Sequence, residues 1–151
     1  MIKSIFHINV NVKNFDRSLA FYKNLGFKLV LDIGEGPNKG NDVGLGIPNS
    51  VAKAALLSLS DDPRATRLDL IEWKKPPTDG TPYAHLYHTG IARIALFTKN
   101  LDDEYTRLKA DGVECVSEPV VIRFGSKAGA KFFCFKDPDG TFLELIEPFN
   151  G

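Results

Sequence analysis

The chain repeats itself. "DPRATRLDLIEW" (62–73) returns 75 residues later as "DPDGTFLELIEP" (137–148), with seven of twelve positions identical. "IFHINVNVKNFDRSLAFYKNLGFKLV" (5–30) aligns without a gap on "IARIALFTKNLDDEYTRLKADGVECV" (91–116), eight of its twenty-six positions identical. Self-similarity on this scale means one supersecondary unit used twice, which removes most other architectures from consideration. The offsets are 86 and 75 residues, so the first copy carries eleven more. The excess falls in "GEGPNKGNDVGLGIPN" (34–49), rich in Gly, Pro and Asn, which reads as an inserted loop, a lid or rim for a binding site.

Both copies spell the same elements. An alternating strand opens each (5–12; 91–98). Asn14-Phe15-Asp16 and Asn100-Leu101-Asp102 then offer helix N-caps before amphipathic segments, and Gly26 and Gly112 stop those helices. Three strands follow, over 27–33, 52–59 and 66–73 in the first copy and 113–122, 130–136 and 141–147 in the second. Asp-Pro-Arg-Ala and Asp-Pro-Asp-Gly supply the turn before each last strand. The expectation is an α+β protein of two βαβββ modules, 1–73 and 91–151, joined by the Pro-rich linker "KKPPTDGTPYAHLYHTG" (74–90).

Strand parity then selects candidate residues. In "RLDLIEW" Leu68 and Leu70 share one face, leaving Arg67, Asp69 and Ile71 on the other; in "FLELIEP" Leu143 and Leu145 oppose Phe142, Glu144 and Ile146. The leucines belong under the helices. Glu72 and Glu147, at the strand ends, are expected to be solvated. In the opening strands Ile8, Val10 and Val12 face the helix, so His7, Asn9 and Asn11 line the opposite side, as do Arg93, Ala95 and Phe97 in the second copy. A pseudo-twofold relation between the modules would gather His7, Asp69, Arg93 and Glu144, four ionisable side chains. Four such groups in one bowl point to a site, because an isolated buried charge costs several kcal/mol unless paired or ligated. Asn9, Asn11 and Arg67 would supply polar contacts to a bound molecule, and Phe97, Phe142 and Ile146 apolar walls.

Composition narrows the partners. Nineteen basic residues balance nineteen acidic ones without a basic stripe, which argues against nucleic acid and anionic membranes. No stretch is apolar and long enough to span a bilayer, and the N-terminus lacks the apolar region of a signal peptide. Cys115 and Cys134 lie in strand-like runs away from metal-site spacing and read as buried thiols in a reducing cytoplasm. The glycine-rich 34–49 stretch has no Gly-Lys-Ser/Thr, and no Gly-x-Ser-x-Gly occurs.

"HINVNVKNFDRSLAFYKNLGFKLV" and "FKDPDGTFLELIEP" resemble the opening and closing motifs of the vicinal oxygen chelate superfamily. That superfamily holds glyoxalase I, methylmalonyl-CoA epimerase, extradiol dioxygenases, and bleomycin and fosfomycin resistance proteins. The resemblance covers nearly the whole chain. It implies paired βαβββ modules whose mixed sheets curl into an open barrel around a divalent metal (Zn, Ni, Mn or Fe), with helices outside. The implied ligand positions fall on His7, Asp69, Arg93 and Glu144. Arg93 breaks the pattern, because a guanidinium has no free lone pair. Three readings stay open: a metal on His7, Asp69 and Glu144; Arg93 standing in for the metal; or His85 or His88 as substitute ligand. As an enzyme of this kind, the protein would be a lyase or isomerase moving a proton beside a carbonyl. Glu144 would be its general base, and the metal or Arg93 would stabilise the enolate. The rival is a non-catalytic small-molecule binder like the resistance proteins, its groove supplied by Phe97, Phe124, Phe142 and Trp73. An extradiol dioxygenase and true glyoxalase I are weaker, since the second histidine is missing. Exposed sheet edges also suggest a homodimer.

Overall fold

Each copy of the repeat folds as a strand, a helix and three further strands, and the copies part after Gly80 into two compact units. The computed structural model describes residues 1–150. The first unit contains β1 (His7–Asn11), α1 (Phe15–Asn24), β2 (Lys28–Pro37), α2 (Lys39–Gly44), β3 (Val51–Ser58) and β4 (Arg67–Lys75). The second contains β5 (Ile94–Phe97), α3 (Leu101–Ala110), β6 (Val120–Phe124), β7 (Ala128–Lys136) and β8 (Phe142–Asn150). Each unit has one mixed four-stranded sheet, in the orders β1-β4-β3-β2 and β5-β8-β7-β6. The opening strand runs parallel to the last one, and the remaining pairs are antiparallel.

The helices begin and end where the sequence signals place them. The Asn14 side chain accepts a hydrogen bond from Arg17 N at 3.0 Å, satisfying one of the amides a helix start leaves unpaired. At the other end Gly26, at φ 106°, donates to Lys23 O while Phe27 N reaches Tyr22 O. Gly112, at φ 79°, and Val113 repeat this on Lys109 O and Leu108 O. This paired closure needs a left-handed residue, which glycine adopts without steric cost. Phe15, Ser18 and Tyr22 are the buried face of α1, and α1 packs on β4 as α3 packs on β8. Val10, Val12, Leu68 and Leu70 form the core of the first unit with that face; Phe133, Phe135, Leu143, Leu101 and Leu108 do so in the second. Each such side chain stabilises the fold by about 1.5–3 kcal/mol when fully buried.

Three expectations change. The second-module strand expected over 113–122 is regular only from Val120. Cys115 makes one isolated bridge to Phe135, and Pro119, which has no amide to donate, precedes the ladder. The segment expected as a loop is partly structured: β2 extends into it as far as Pro37, which pairs with Val51, and α2 follows. Asn38 caps α2 by accepting from Asn41 N, and Asp42 accepts from the amides of Asn49 and Ser50 and from the Ser50 hydroxyl. Those contacts hold the Asp42 carboxyl below the usual range, the Ser50 hydroxyl first. Finally, β4 continues to Lys75, inside the expected linker. Among the described residues no helix is long and apolar enough to cross a membrane.

Candidate functional site

The face of each sheet turned away from its helix carries one pair of a basic side chain and a carboxyl group. In the first unit β1 lies beside β4 with Asn9 opposite Asp69. His7, two residues earlier, brings Nε2 to 3.6 Å from Asp69 Oδ2. In the second unit Ala95 lies opposite Glu144, and Arg93, again two residues earlier, donates from Nε to Glu144 Oε2 at 2.5 Å. The repeat thus puts His7 and Arg93, and Asp69 and Glu144, at equivalent positions.

The two pairs differ in chemistry. Burial pushes the Asp69 carboxyl up from its ordinary value, only partly offset by His7. Glu144 is 5% exposed, and its hydrogen bond and charge raise the already high pKa of Arg93, keeping the guanidinium charged. Cys134, directly opposite Glu144 in the ladder, puts Sγ 3.8 Å from the same Oε2. Burial first, and then the Glu144 charge, push that thiol up to about 11, so Cys134 is a neutral, unreactive neighbour. Both cysteines are free thiols; Cys134 is buried and Cys115 half-buried.

The remaining predicted residues take distinct places. Asn9 Nδ2 donates to the Asp69 carbonyl, and Asn11 Oδ1 accepts from Trp73 Nε1, so both amides are engaged within the sheet. Arg67 donates to the Pro63 carbonyl and stacks over Phe6, which commits it to the turn before β4. Phe142 is buried beneath the Lys136 ammonium, whereas Phe97 is 64% exposed at the end of β5. Phe124 is also exposed. His85 stacks on Tyr87 and His88 on Tyr83, and His88 Nδ1 lies 2.8 Å from the Thr89 carbonyl. Both histidines are thus engaged locally in the 83–89 segment.

Glu72 and Glu147 correct the sequence reading. Neither is a solvated strand end. Glu72 Oε2 accepts from Phe15 N at 2.7 Å, and Glu147 Oε2 accepts from Leu101 N at 3.0 Å, each capping the first residue of its unit's helix. Burial works to raise the Glu72 carboxyl, but the Lys74 ammonium and the Phe15 amide outweigh it and hold it below the usual range. A carboxylate at a helix N-terminus is favoured by both hydrogen bonding and the helix dipole. Parity placed both residues on the helix-facing side of the last strand, but not against the helix start.

The donor set decides what a metal would find. Two ligands about 2.0–2.1 Å from a shared ion lie roughly 3–3.5 Å apart, and His7 and Asp69, at 3.6 Å, stand just beyond that spacing. In the second unit Glu144 Oε2 is held by a guanidinium, which offers no lone pair. Among the described residues no group of three or more His, Cys, Asp or Glu side chains is placed to hold a metal ion. The residues present do not fit the full chelate.

Comparison with known proteins gives the family and the fold. The sequence model of the Glyoxalase/Bleomycin resistance protein/Dioxygenase superfamily matches residues 4–145. YwkD of Bacillus subtilis (strain 168) is 28% identical over 149 residues, 97% of this chain and 98% of its own. The crystal structure of a glyoxalase family protein from Bacillus cereus superposes with a TM-score of 0.84 at 18% identity, covering 99% of this chain and 96% of that one. TnmS3, an antibiotic binding protein from Streptomyces sp. CB03234, superposes with a TM-score of 0.61 at 20% identity, covering 98% of both chains.

Proposed function

The chain belongs to the Glyoxalase/Bleomycin resistance protein/Dioxygenase superfamily, and within it we propose that this protein binds a small organic molecule without a resident metal. The observation that carries this reading is the Arg93 Nε–Glu144 Oε2 hydrogen bond of 2.5 Å. It neutralises a buried carboxylate that would otherwise need a metal or a proton. A divalent ion could take Glu144 only by displacing a fixed cation, at a cost in affinity from both the lost ion pair and like-charge repulsion. The binding role of TnmS3, which has the same fold, is consistent with a superfamily member acting as a binder.

A lyase or isomerase reading has one observation in its favour. Both described partners of the Glu144 carboxylate, Arg93 and Cys134, meet Oε2, which leaves Oε1 as an oxygen able to take a proton. In that role Glu144 would abstract a proton beside a carbonyl, and the Arg93 guanidinium would stabilise the enolate oxygen.

Metal content per chain after dialysis against Zn²⁺, Ni²⁺, Mn²⁺ and Fe²⁺ separates these from a chelate mechanism. The expected result is no stoichiometric ion with any metal. One tightly held ion per chain, lost in His7→Ala, would overturn the metal-free reading.

A further inference from the structure

Resting on the small-molecule reading, we infer that Arg93, Ala95 and Phe97 form a contact strip for a ligand with a carboxylate at one end and a flat apolar body at the other. Exposure along this segment alternates: Arg93, Ala95 and Phe97 are exposed, Ile94 and Leu96 are half-buried. Charge, small residue and aromatic ring therefore follow one another along a single open face.

The guanidinium is preorganised for this task. Its Nε is fixed on Glu144, and Glu144 is the only acceptor described for it in its unit. Both Nη groups remain for a ligand, on a side chain that is 45% exposed. Two parallel N–H groups match the two oxygens of a carboxylate, a geometry that a lysine ammonium cannot offer. Because Glu144 neutralises much of the charge at Nε, recognition rests on the fork's hydrogen bonds more than on a long-range field.

The strip also sets a length. Glu144 sits opposite Ala95, so its bond draws the guanidinium toward the level of Ala95. Phe97 lies two residues further along, about 7 Å at the rise of an extended strand. Ala95 between them presents only a methyl group, too small to obstruct a ligand lying along the strand. A carboxylate separated from an aromatic or similar flat group by about 7 Å fits that span.

The equivalent strip of the first unit lacks these properties. Asn9 and Asn11 already bond to Asp69 O and Trp73 Nε1, and no aromatic side chain stands where Phe97 does. The second unit alone presents an open fork and a free ring in register.

The test is calorimetric titration of the whole protein with 4-phenylbutyrate and with its uncharged counterpart 4-phenylbutanamide. The acid should bind about tenfold or more tighter than the amide, the discrimination of a charged hydrogen-bonded pair. Arg93→Gln should abolish that preference by weakening the acid far more than the amide, Arg93→Lys should restore only part of it, and Phe97→Ala should weaken both probes. Should Arg93→Gln fold poorly, Arg93→Gln combined with Glu144→Gln removes both charges and makes the same prediction. Equal affinity for acid and amide, a preference that survives without Arg93, or no binding of either probe would overturn the inference. Those outcomes leave the metal assay unchanged, whereas one tightly held ion per chain would retire the underlying reading.

Discussion

His7–Asp69 and Arg93–Glu144 occupy the same register of a repeated unit, yet they are different devices. The first is a contact of 3.6 Å beyond hydrogen-bonding distance, with a half-exposed imidazole. The second is a charge-assisted hydrogen bond of 2.5 Å onto a carboxylate with 7% of its side chain exposed. Asp69 has been left with an unfavourable environment and a raised pKa; Glu144 has been supplied with a permanent partner. Repetition preserved the places, and substitution changed what they do.

The sharpest way to break that comparison is to remove the basic member of each pair. Arg93→Ala strands a buried carboxylate and should cost about 2–3 kcal/mol, below the usual figure for a fully buried pair because the guanidinium is partly exposed. His7→Ala should cost less than about 1 kcal/mol. Urea unfolding of both variants checks this, and equal losses would show the two pairs to be energetically alike.

Next come the helix starts. α1 has two side-chain caps, Asn14 on Arg17 N and Glu72 on Phe15 N. Asn100 makes no side-chain cap for α3, which leaves Glu147 on Leu101 N. Glu147→Ala should therefore cost about 1–2 kcal/mol, more than Glu72→Ala, while Asn14→Ala should cost about 1 kcal/mol and Asn100→Ala less than half of that. Thermal unfolding of the four variants ranks them. A costly Asn100→Ala would refute the asymmetry.

The smallest effects are in pH dependence, and they have opposite signs. Asp69, with its folded pKa above the ordinary 3.8, favours folding when protonated, and that contribution is lost as pH rises through the folded value. Asp69→Asn should thus melt higher than wild type at neutral pH, with the advantage shrinking on acidification toward 3.8. Glu72 has its folded pKa below the ordinary 4.5, so its contribution is present above that value and lost as pH falls through the folded one. Glu72→Gln should melt lower at neutral pH, and the gap should close in acid. Melting curves between about pH 3 and 7 would show gaps that move in opposite directions; parallel behaviour would contradict the burial argument.

The order of elements could be read from the chain because the repeat tests every assignment twice. Alternation at His7–Asn11 and Arg67–Ile71, Asn14 before a helix and Gly26 after it, all act locally and point the same way. The members of each pair were also legible, from parity and shared register. What stayed hidden depended on distance in space. That Glu72 meets the Phe15 amide follows only once α1 is docked on β4, 57 residues away in sequence. Whether Arg93 turns its Nε or its fork to Glu144 is a rotamer outcome that residue type does not determine. α2 escaped for another reason: Gly40 and Gly44 are poor helix formers, and the turn is stabilised by Asn38 at its start and by Asp42, which reaches to Ser50 beyond it.

The clasp at Asp42 makes the longer first copy a socket. The eleven-residue excess rises from a neck already zipped by the Pro37–Val51 pair and tied off at Ser50, so its internal order does not set the register of β2 on β3. Residues 43–48, inside the clasp, can be exchanged for another short peptide of similar reach, an epitope or a recognition sequence, with Asp42, Ser50 and the sheet below serving as a fixed mount.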